Sequence, residues 1–236
     1  MKKFSFLAIT AVVMTGIAFS SCDSKKSVSL KSGLDSVSYI IGASYGNGLK
    51  ENIKTFPGSP GNVDALVAGF VNAAEGDTIH LGMDMQAAQA YVQEYFQNAQ
   101  TRLAEETKAE GDKFLEENKT KSGVITTLSG LQYKVITEGT GIKPAAEDTV
   151  KVHYTGKLLD GTKFDSSVDR GEPATFPLNG VIRGWSEGVQ LMPVGSKYIF
   201  WVPADLAYGT QSPSQLIKPN STLEFEVELL EVTKAK

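Results

Sequence analysis

The chain has 236 residues, of which 41% are hydrophobic and 21% are charged, and this ordinary globular mixture can bury a core. A formal net charge of −4, with no block of basic residues, argues against nucleic acid as a partner. The single cysteine, the two histidines and the acidic residues have no metal-ligand spacing, and there is no P-loop or dinucleotide glycine motif. We therefore expect neither a metal nor a cofactor.

Residues 1–22 have the pattern of an export signal. Lys2 and Lys3 precede an uncharged apolar run over residues 4–19. This run is shorter than the roughly 20 residues that a membrane-spanning helix needs. A cleaved or lipidated signal is therefore the first interpretation of this segment.

The end of the signal contains the only cysteine of the chain. Ser20 and Ser21 lead directly into Cys22, an arrangement that resembles the lipobox of bacterial lipoproteins. The resemblance implies an exported lipoprotein, lipidated at Cys22 and anchored in a membrane, with the outer membrane favoured and the protein facing the periplasm or the cell surface. Residues 23–33 would be a polar tether. A free, buried cysteine after an uncleaved anchor is the alternative.

Residues 34–121 carry helical signals and predict an all-helical N-terminal domain. Asp35 or Ser36 is the expected cap of a first helix, and Asn62 is the expected cap of a second. The proline-free segment from residue 85 to residue 118 begins with apolar residues at the 3–4 spacing of an amphipathic helix. We predict one long connecting helix there.

The middle of this long segment, residues 102–113, is almost wholly polar, which predicts a solvated helix that bridges two bodies. A helix of about 30 residues spans about 45 Å, and two short helices offer it little to pack on. We therefore expect the apolar face of the domain to pair with a second copy of the chain, as a homodimer. A monomeric helical hairpin is the alternative.

Residues 122–236 switch to short alternating strands separated by turns. The clearest strand places Leu223, Phe225, Val227 and Leu229 on one face and glutamates on the other. Asp160-Gly161 is a strong turn signal, and residues 183–191 form the one short helical stretch. About five strands with one short helix predict an α+β domain, an antiparallel sheet wrapped around the helix.

Many motifs of this half resemble the FKBP-type isomerase domain in order and spacing. They are Val150–Gly156, Leu159–Gly161, Phe164–Ser167, Arg170-Gly171, Phe176–Leu178, Val181–Trp185, Leu206–Gly209 and Phe225–Leu230. The helical half is similar to the dimerising region of bacterial secreted FKBPs of the macrophage-infectivity-potentiator type. The resemblance implies a peptidyl-prolyl cis-trans isomerase that helps exported proteins to fold. Its partners would be proline-containing, unfolded or partly folded polypeptides, and macrolides would inhibit it.

The resemblance also implies a site, residue by residue. The catalytic residues would be Tyr154, Asp165, Trp185, Tyr208 and Phe225. The substrate-binding residues would be Phe164, Arg170, Phe176, Val181, Ile182, Leu216 and Ile217. Ala174, Pro213 and Lys218 depart from the usual family pattern.

Two other functions fit the same sequence. One is a non-catalytic chaperone or adaptor that uses the same fold as a binding module. The other is a membrane-tethered assembly protein in which the helical half matters most. Acceleration of proline-limited refolding separates the enzyme from both.

Overall fold

The computed structural model describes residues 29–56, 60–76 and 82–235. The predicted signal segment and Cys22 lie outside these residues. The chain divides into two compact units between Leu49 and Lys50. Within the described ranges, no helix combines the length and the apolarity that crossing a membrane requires.

Among the described residues, three α-helices precede the sheet: α1 (Gly33–Asn52), α2 (Val63–Ala74) and α3 (Met85–Asn118). The predicted cap of α1 at Asp35 or Ser36 is wrong, because the helix begins earlier. The Ser32 hydroxyl accepts the amide N–H of Asp35 at 3.1 Å, and the Asp35 carboxylate accepts the amide N–H of Ser32 at 2.8 Å. Ser32 and Asp35 therefore form a capping box, in which Ser32 is the N-cap and the Asp35 carboxylate bonds back to it.

The other two helices begin where the sequence predicts. The side chain of Asn62 caps α2 by accepting the amide N–H of Ala65 at 3.1 Å. The side chain of Asp84 caps α3 by accepting the amide N–H of Ala87 at 2.8 Å. Each cap satisfies a backbone donor that the first helical turn leaves free.

The C-terminal part of α3 is not simply solvated, so the prediction for residues 102–113 is wrong for one face of the helix. That face is half-buried or buried and repeats every three or four residues: Leu103, Ala104, Thr107, Gly111, Phe114, Leu115 and Asn118. At the end of the helix, Asn118 donates to the Gln132 side chain at 2.9 Å, and Gln132 donates to the Leu115 carbonyl at 2.8 Å. Small and polar residues form most of this face, and a search for apolar periodicity misses them.

In the part of the chain that the structure describes, one antiparallel sheet of seven strands follows. The strands are β1 (Val124–Thr126), β2 (Gln132–Thr137), β3 (Thr149–Leu158), β4 (Lys163–Ser166), β5 (Ala174–Pro177), β6 (Lys197–Val202) and β7 (Leu223–Thr233). Their order is β1-β2-β6-β7-β3-β4, and β5 pairs with β3. Two short helices, α4 (Ser167–Arg170) and α5 (Arg183–Val189), complete the domain. The predicted α+β fold is confirmed.

Two glycines let α5 lie directly against the sheet. A Cβ atom on Gly184 would lie 2.4 Å from Cγ1 of Val202, and one on Gly188 would lie 2.7 Å from Cε1 of Phe200. The close approach buries Trp185 and Val189 in the core beneath the sheet. Burial of such large apolar side chains contributes about 1.5–3 kcal/mol each, and it fixes where the indole of Trp185 lies.

Candidate active site

A cavity of about 290 Å³ opens beside α5. It is lined by Tyr154, Phe164, Asp165, Phe176, Gly180, Val181, Ile182, Trp185, Tyr208 and Phe225. These residues come from strands β3, β4, β5 and β7, from α5 and the turn before it, and from the loop after β6. Every residue that the family resemblance implies as catalytic is in this lining.

The aromatic rings of the lining support one another edge to face. The Trp185 ring has three such neighbours, with centroid distances of 5.2 Å to Tyr154, 5.3 Å to Phe225 and 5.8 Å to Phe176. The Phe164 ring packs in the same way on Phe225, at 5.6 Å. Edge-to-face contacts of this kind add about 0.5–1.5 kcal/mol each beyond area burial. The result is a firm apolar cage, in which Trp185 is only 4% exposed.

Gly156 in β3 makes room for two of these rings. It lies opposite Phe225 in β7 and opposite Asp165 in β4. A Cβ atom here would lie 2.6 Å from Cζ of Phe164 and 2.9 Å from Cε1 of Phe225. A glycine inside a strand is a signal of close approach, and Gly156, which has no expected role in the site, makes such an approach.

Asp165 is the one carboxylate in the lining, and two partners hold it. The Tyr154 hydroxyl donates to Oδ2, and Nη1 of Arg170 donates to Oδ1. Nη2 of Arg170 also donates to the Tyr154 hydroxyl at 3.0 Å, which closes the triangle. Arg170 ends the single turn of α4, and the Ser166 side chain caps that turn.

The triangle determines the charges in the cavity wall. Burial raises the pKa of Asp165, but the hydrogen bonds from Tyr154 and Arg170 together with the charge of Arg170 outweigh it, so this pKa is below its ordinary value. Burial, and then the neighbouring Asp165, raise the pKa of Tyr154. Burial and the charge of Asp165 also raise the pKa of Tyr208. At neutral pH the wall therefore contains one carboxylate and two protonated phenols, Tyr154 and Tyr208, of which Tyr154 donates to the carboxylate.

Three of the expected substrate-binding residues do not line the cavity. Arg170 instead contacts Asp165 and Tyr154, with its guanidinium 5.6 Å from the Tyr154 ring centre. Ile217 is buried in the hydrophobic core, and Leu216 is 48% exposed. The assignment of these three residues to substrate binding stays a prediction. Gly180, which lies in the turn before α5, lines the cavity and was not expected there.

Comparison with known proteins identifies both halves of the chain. Residues 140–230 match the family described as FKBP-type peptidyl-prolyl cis-trans isomerase. Residues 34–135 match the family described as the domain amino terminal to FKBP-type peptidyl-prolyl isomerase. A crystal structure of FkpA from Escherichia coli matches with a TM-score of 0.73 and 36% identity, over 88% of this chain and 100% of that one.

Two relatives show the same likeness over nearly their whole length. The FKBP-type 22 kDa peptidyl-prolyl cis-trans isomerase of Escherichia coli K12 is 49% identical, over 83% of this chain and 93% of its own. The outer membrane protein MIP of Legionella longbeachae is 42% identical, over 96% of this chain and 97% of its own. The chain therefore belongs to the family of FKBP-type peptidyl-prolyl cis-trans isomerases.

Proposed function

We propose that the chain catalyses cis-trans isomerisation of X–Pro bonds in proline-containing polypeptides, and that its substrates are exported proteins during folding. The observation that carries this proposal is the aromatic cage around Trp185, with Asp165 held in its wall by hydrogen bonds from two side chains. The cavity combines apolar shape with one placed charge.

The chemistry of X–Pro rotation suits such a cavity. Amide resonance sets a barrier of about 18–20 kcal/mol, and the uncatalysed step takes roughly 10–100 s. No bond has to break, because twisting the C–N bond only removes the resonance. The twisted amide has less charge separation than the planar one, so apolar surroundings favour it over the ground state. This preference is differential binding of the transition state.

We assign roles from position in the cavity. Trp185 would form the floor under the prolyl ring, and the other rings of the lining would form its walls. The hydroxyl of Tyr208 would donate a hydrogen bond to a substrate carbonyl. The Asp165 carboxylate would accept from the substrate, while Tyr154 and Arg170 keep it oriented and ionised.

The test is refolding of a protein whose slow step is proline isomerisation, with the chain lacking residues 1–22 as catalyst. We expect acceleration by the wild type, and a loss of roughly tenfold or more in kcat/KM for Asp165→Ala and Tyr208→Phe, since each removes one hydrogen bond made in the transition state. Asp169→Ala is the control, because that carboxylate pairs with Lys163 and does not line the cavity.

A wild type that gives no acceleration would contradict the enzyme and favour the non-catalytic chaperone or adaptor. Calorimetry with a macrolide inhibitor tests the cavity separately from catalysis. We expect one binding site per chain, weakened by Trp185→Ala.

We also propose that the chain is a homodimer. Neither α1 nor α2 buries a residue within the described chain, and large apolar side chains on the three helices are at least half exposed. They include Val37, Tyr39, Ile40, Ile41, Tyr45, Val67, Phe70, Tyr91, Val92 and Tyr95. So much exposed apolar surface is typical of a partner interface.

Mass measurement by light scattering tests the dimer. We expect twice the chain mass for the wild type and one chain mass for the double variant Val67→Asp/Phe70→Asp. Gln100→Asp, which adds a carboxylate at an exposed polar position of α3, is expected to remain dimeric. A monomeric wild type would contradict the proposal.

Finally, we propose that the protein is exported and anchored in a membrane through lipid on Cys22. The proposal rests on the basic start, the apolar run and the position of the only cysteine, and one relative is named an outer membrane protein. Metabolic labelling with a radioactive fatty acid, followed by membrane fractionation, tests it. We expect label and membrane association in the wild type and neither in Cys22→Ser. Unlabelled, fully released wild type would contradict the anchor.

A further inference from the structure

The loop between β6 and β7 connects the cavity to α3. Tyr208 lies near the start of this loop and lines the cavity, and the loop ends at Thr222, directly before β7. Most of the loop has no regular secondary structure, and Leu216 within it is 48% exposed. Its conformation therefore depends on a few specific contacts.

Asn220 makes the first of these contacts with both its backbone and its side chain. Its amide N–H donates to the carbonyl of Gly209, the residue after Tyr208, at 2.7 Å. Its side-chain nitrogen donates to the carbonyl of Ala104 in α3 at 3.2 Å. Asn220 has a φ of 59°, a left-handed conformation that asparagine tolerates better than most side chains. One residue thus ties the Tyr208 end of the loop to the long helix.

Gly111 and Thr222 make the second contact, two turns further along α3. A Cβ atom on Gly111 would lie 2.4 Å from Oγ1 and 3.2 Å from Cβ of Thr222. Both residues are buried, and Thr222 is only 5% exposed. The helix and the end of the loop therefore meet with no space for a methyl group.

We propose that α3 is a support for the substrate-binding loop, and that Asn220, Gly111 and Thr222 are positioning residues for the Tyr208 hydroxyl. This inference rests on the isomerase function proposed above. None of the three residues lines the cavity. Each acts by holding the loop against the half-buried face of α3, so that the Tyr208 hydroxyl is already in position when the substrate binds. A loop that is ordered before binding lowers the entropy cost of binding, because the substrate does not have to order it.

Three variants change the side-chain contacts between the loop and α3 without straining the backbone of the loop. Asn220→Gly removes the donor to Ala104 and leaves a residue that adopts a φ of 59° without strain. Gly111→Ala inserts a methyl group against Thr222, and Thr222→Ala in the same chain removes the atom that it meets first. Gly48→Ala is the matched control, because a Cβ there has nothing within 4 Å.

The first readout is amide hydrogen exchange of peptides covering residues 207–222, compared with peptides from β3 and β7. We expect Asn220→Gly to raise exchange in the loop by about fivefold, the effect of one lost hydrogen bond, with the strands unchanged. We expect Gly111→Ala to raise loop exchange by a similar factor, because its methyl group pushes Thr222 away from the helix. The second readout is KM and kcat on a proline peptide. We expect a several-fold rise in KM or fall in kcat/KM for both single variants. The double variant Gly111→Ala/Thr222→Ala should recover part of the loss caused by Gly111→Ala, because residues 111 and 222 are in contact.

Unchanged loop exchange in both single variants would overturn the proposal, as would faster loop exchange with unaltered KM and kcat. An equal loss of activity in Gly48→Ala would also overturn it, because the effect would then not be local. A wild type without isomerase activity would instead overturn the proposed function. In that case the exchange measurement alone still decides whether α3 holds the loop.

Discussion

At the scale of single residues, Gly156 sets the space that the cavity has for its rings. The rings of Phe164 and Phe225 lie where a side chain on residue 156 would be. We predict that Gly156→Ala displaces one or both rings and destabilises the fold by about 1–3 kcal/mol. We also predict a roughly 10- to 100-fold fall in kcat/KM, the effect of misplacing a catalytic surface. Urea unfolding and a peptide assay measure the two effects.

A second glycine supplies the control for Gly156. A Cβ atom on Gly141 would lie 2.6 Å from Cβ of Val194, a clash of the same size, and neither residue lines the cavity. Gly141→Ala should therefore lose stability and keep kcat/KM, when both are assayed well below the unfolding temperature. If Gly156→Ala kept full activity, the aromatic cage would not be the catalytic surface.

At the scale of elements, the end of β7 is tied to the start of β3 through Asp148. This carboxylate is almost fully buried and accepts from Lys234 at 2.7 Å, from the amide N–H of Ala145 at 2.7 Å and from that of Ala235 at 3.0 Å. The Lys234 hydrogen bond contributes most, and the two amides add to it, so the pKa of Asp148 is lowered to about 2. The carboxylate therefore fastens the C-terminal segment.

This low pKa predicts how stability depends on pH. The pKa of Asp148 is lower in the folded than in the unfolded chain, so its contribution is fully present above about pH 4 and disappears as pH falls through about 2. We predict that Asp148→Asn is less stable than the wild type at pH 7, and that the difference shrinks towards pH 2. Urea midpoints at several pH values measure it. Asp112→Asn, in an exposed ion pair, should change stability by less than about 0.5 kcal/mol at either pH. A constant difference across the range would contradict the assignment.

At the scale of the whole molecule, the proposed dimer would present two cavities to one substrate chain. Two linked binding sites raise the apparent affinity for a long substrate and not for a short one. We predict that Val67→Asp/Phe70→Asp keeps the kcat/KM of the wild type on a short proline peptide. On an unfolded protein we expect it to lose on the order of tenfold. Equal losses on both substrates would show that the substitutions damage the cavity domain itself.

Some features could be read directly from local sequence. The caps Asn62 and Asp84 bond within three residues, and the strand around Phe225 alternates over consecutive positions. The cap of α1 is the exception. Asp35 is a residue type that often caps helices, but here it lies inside the first turn, and its carboxylate bonds back to the amide N–H of Ser32, the true cap. Within the described residues, seven strands form where the sequence predicts about five, and the shortest of them, β1, has only three residues, which are too few to show alternation.

The amino-acid sequence is enough to predict the fold class, the long helix, the family and the residue types of an apolar isomerase cavity, because these depend on periodicity and on motifs that are short in sequence. Which of those residues meet is visible only in the folded chain. The tertiary structure separated Arg170, Leu216 and Ile217 from the lining and added Gly180. It also revealed that α3 docks through Gly111 and Asn118. These contacts join residues that are far apart in the chain. They depend on a glycine that leaves room for a neighbour and on single hydrogen bonds, and neither of these produces a periodic pattern in the sequence.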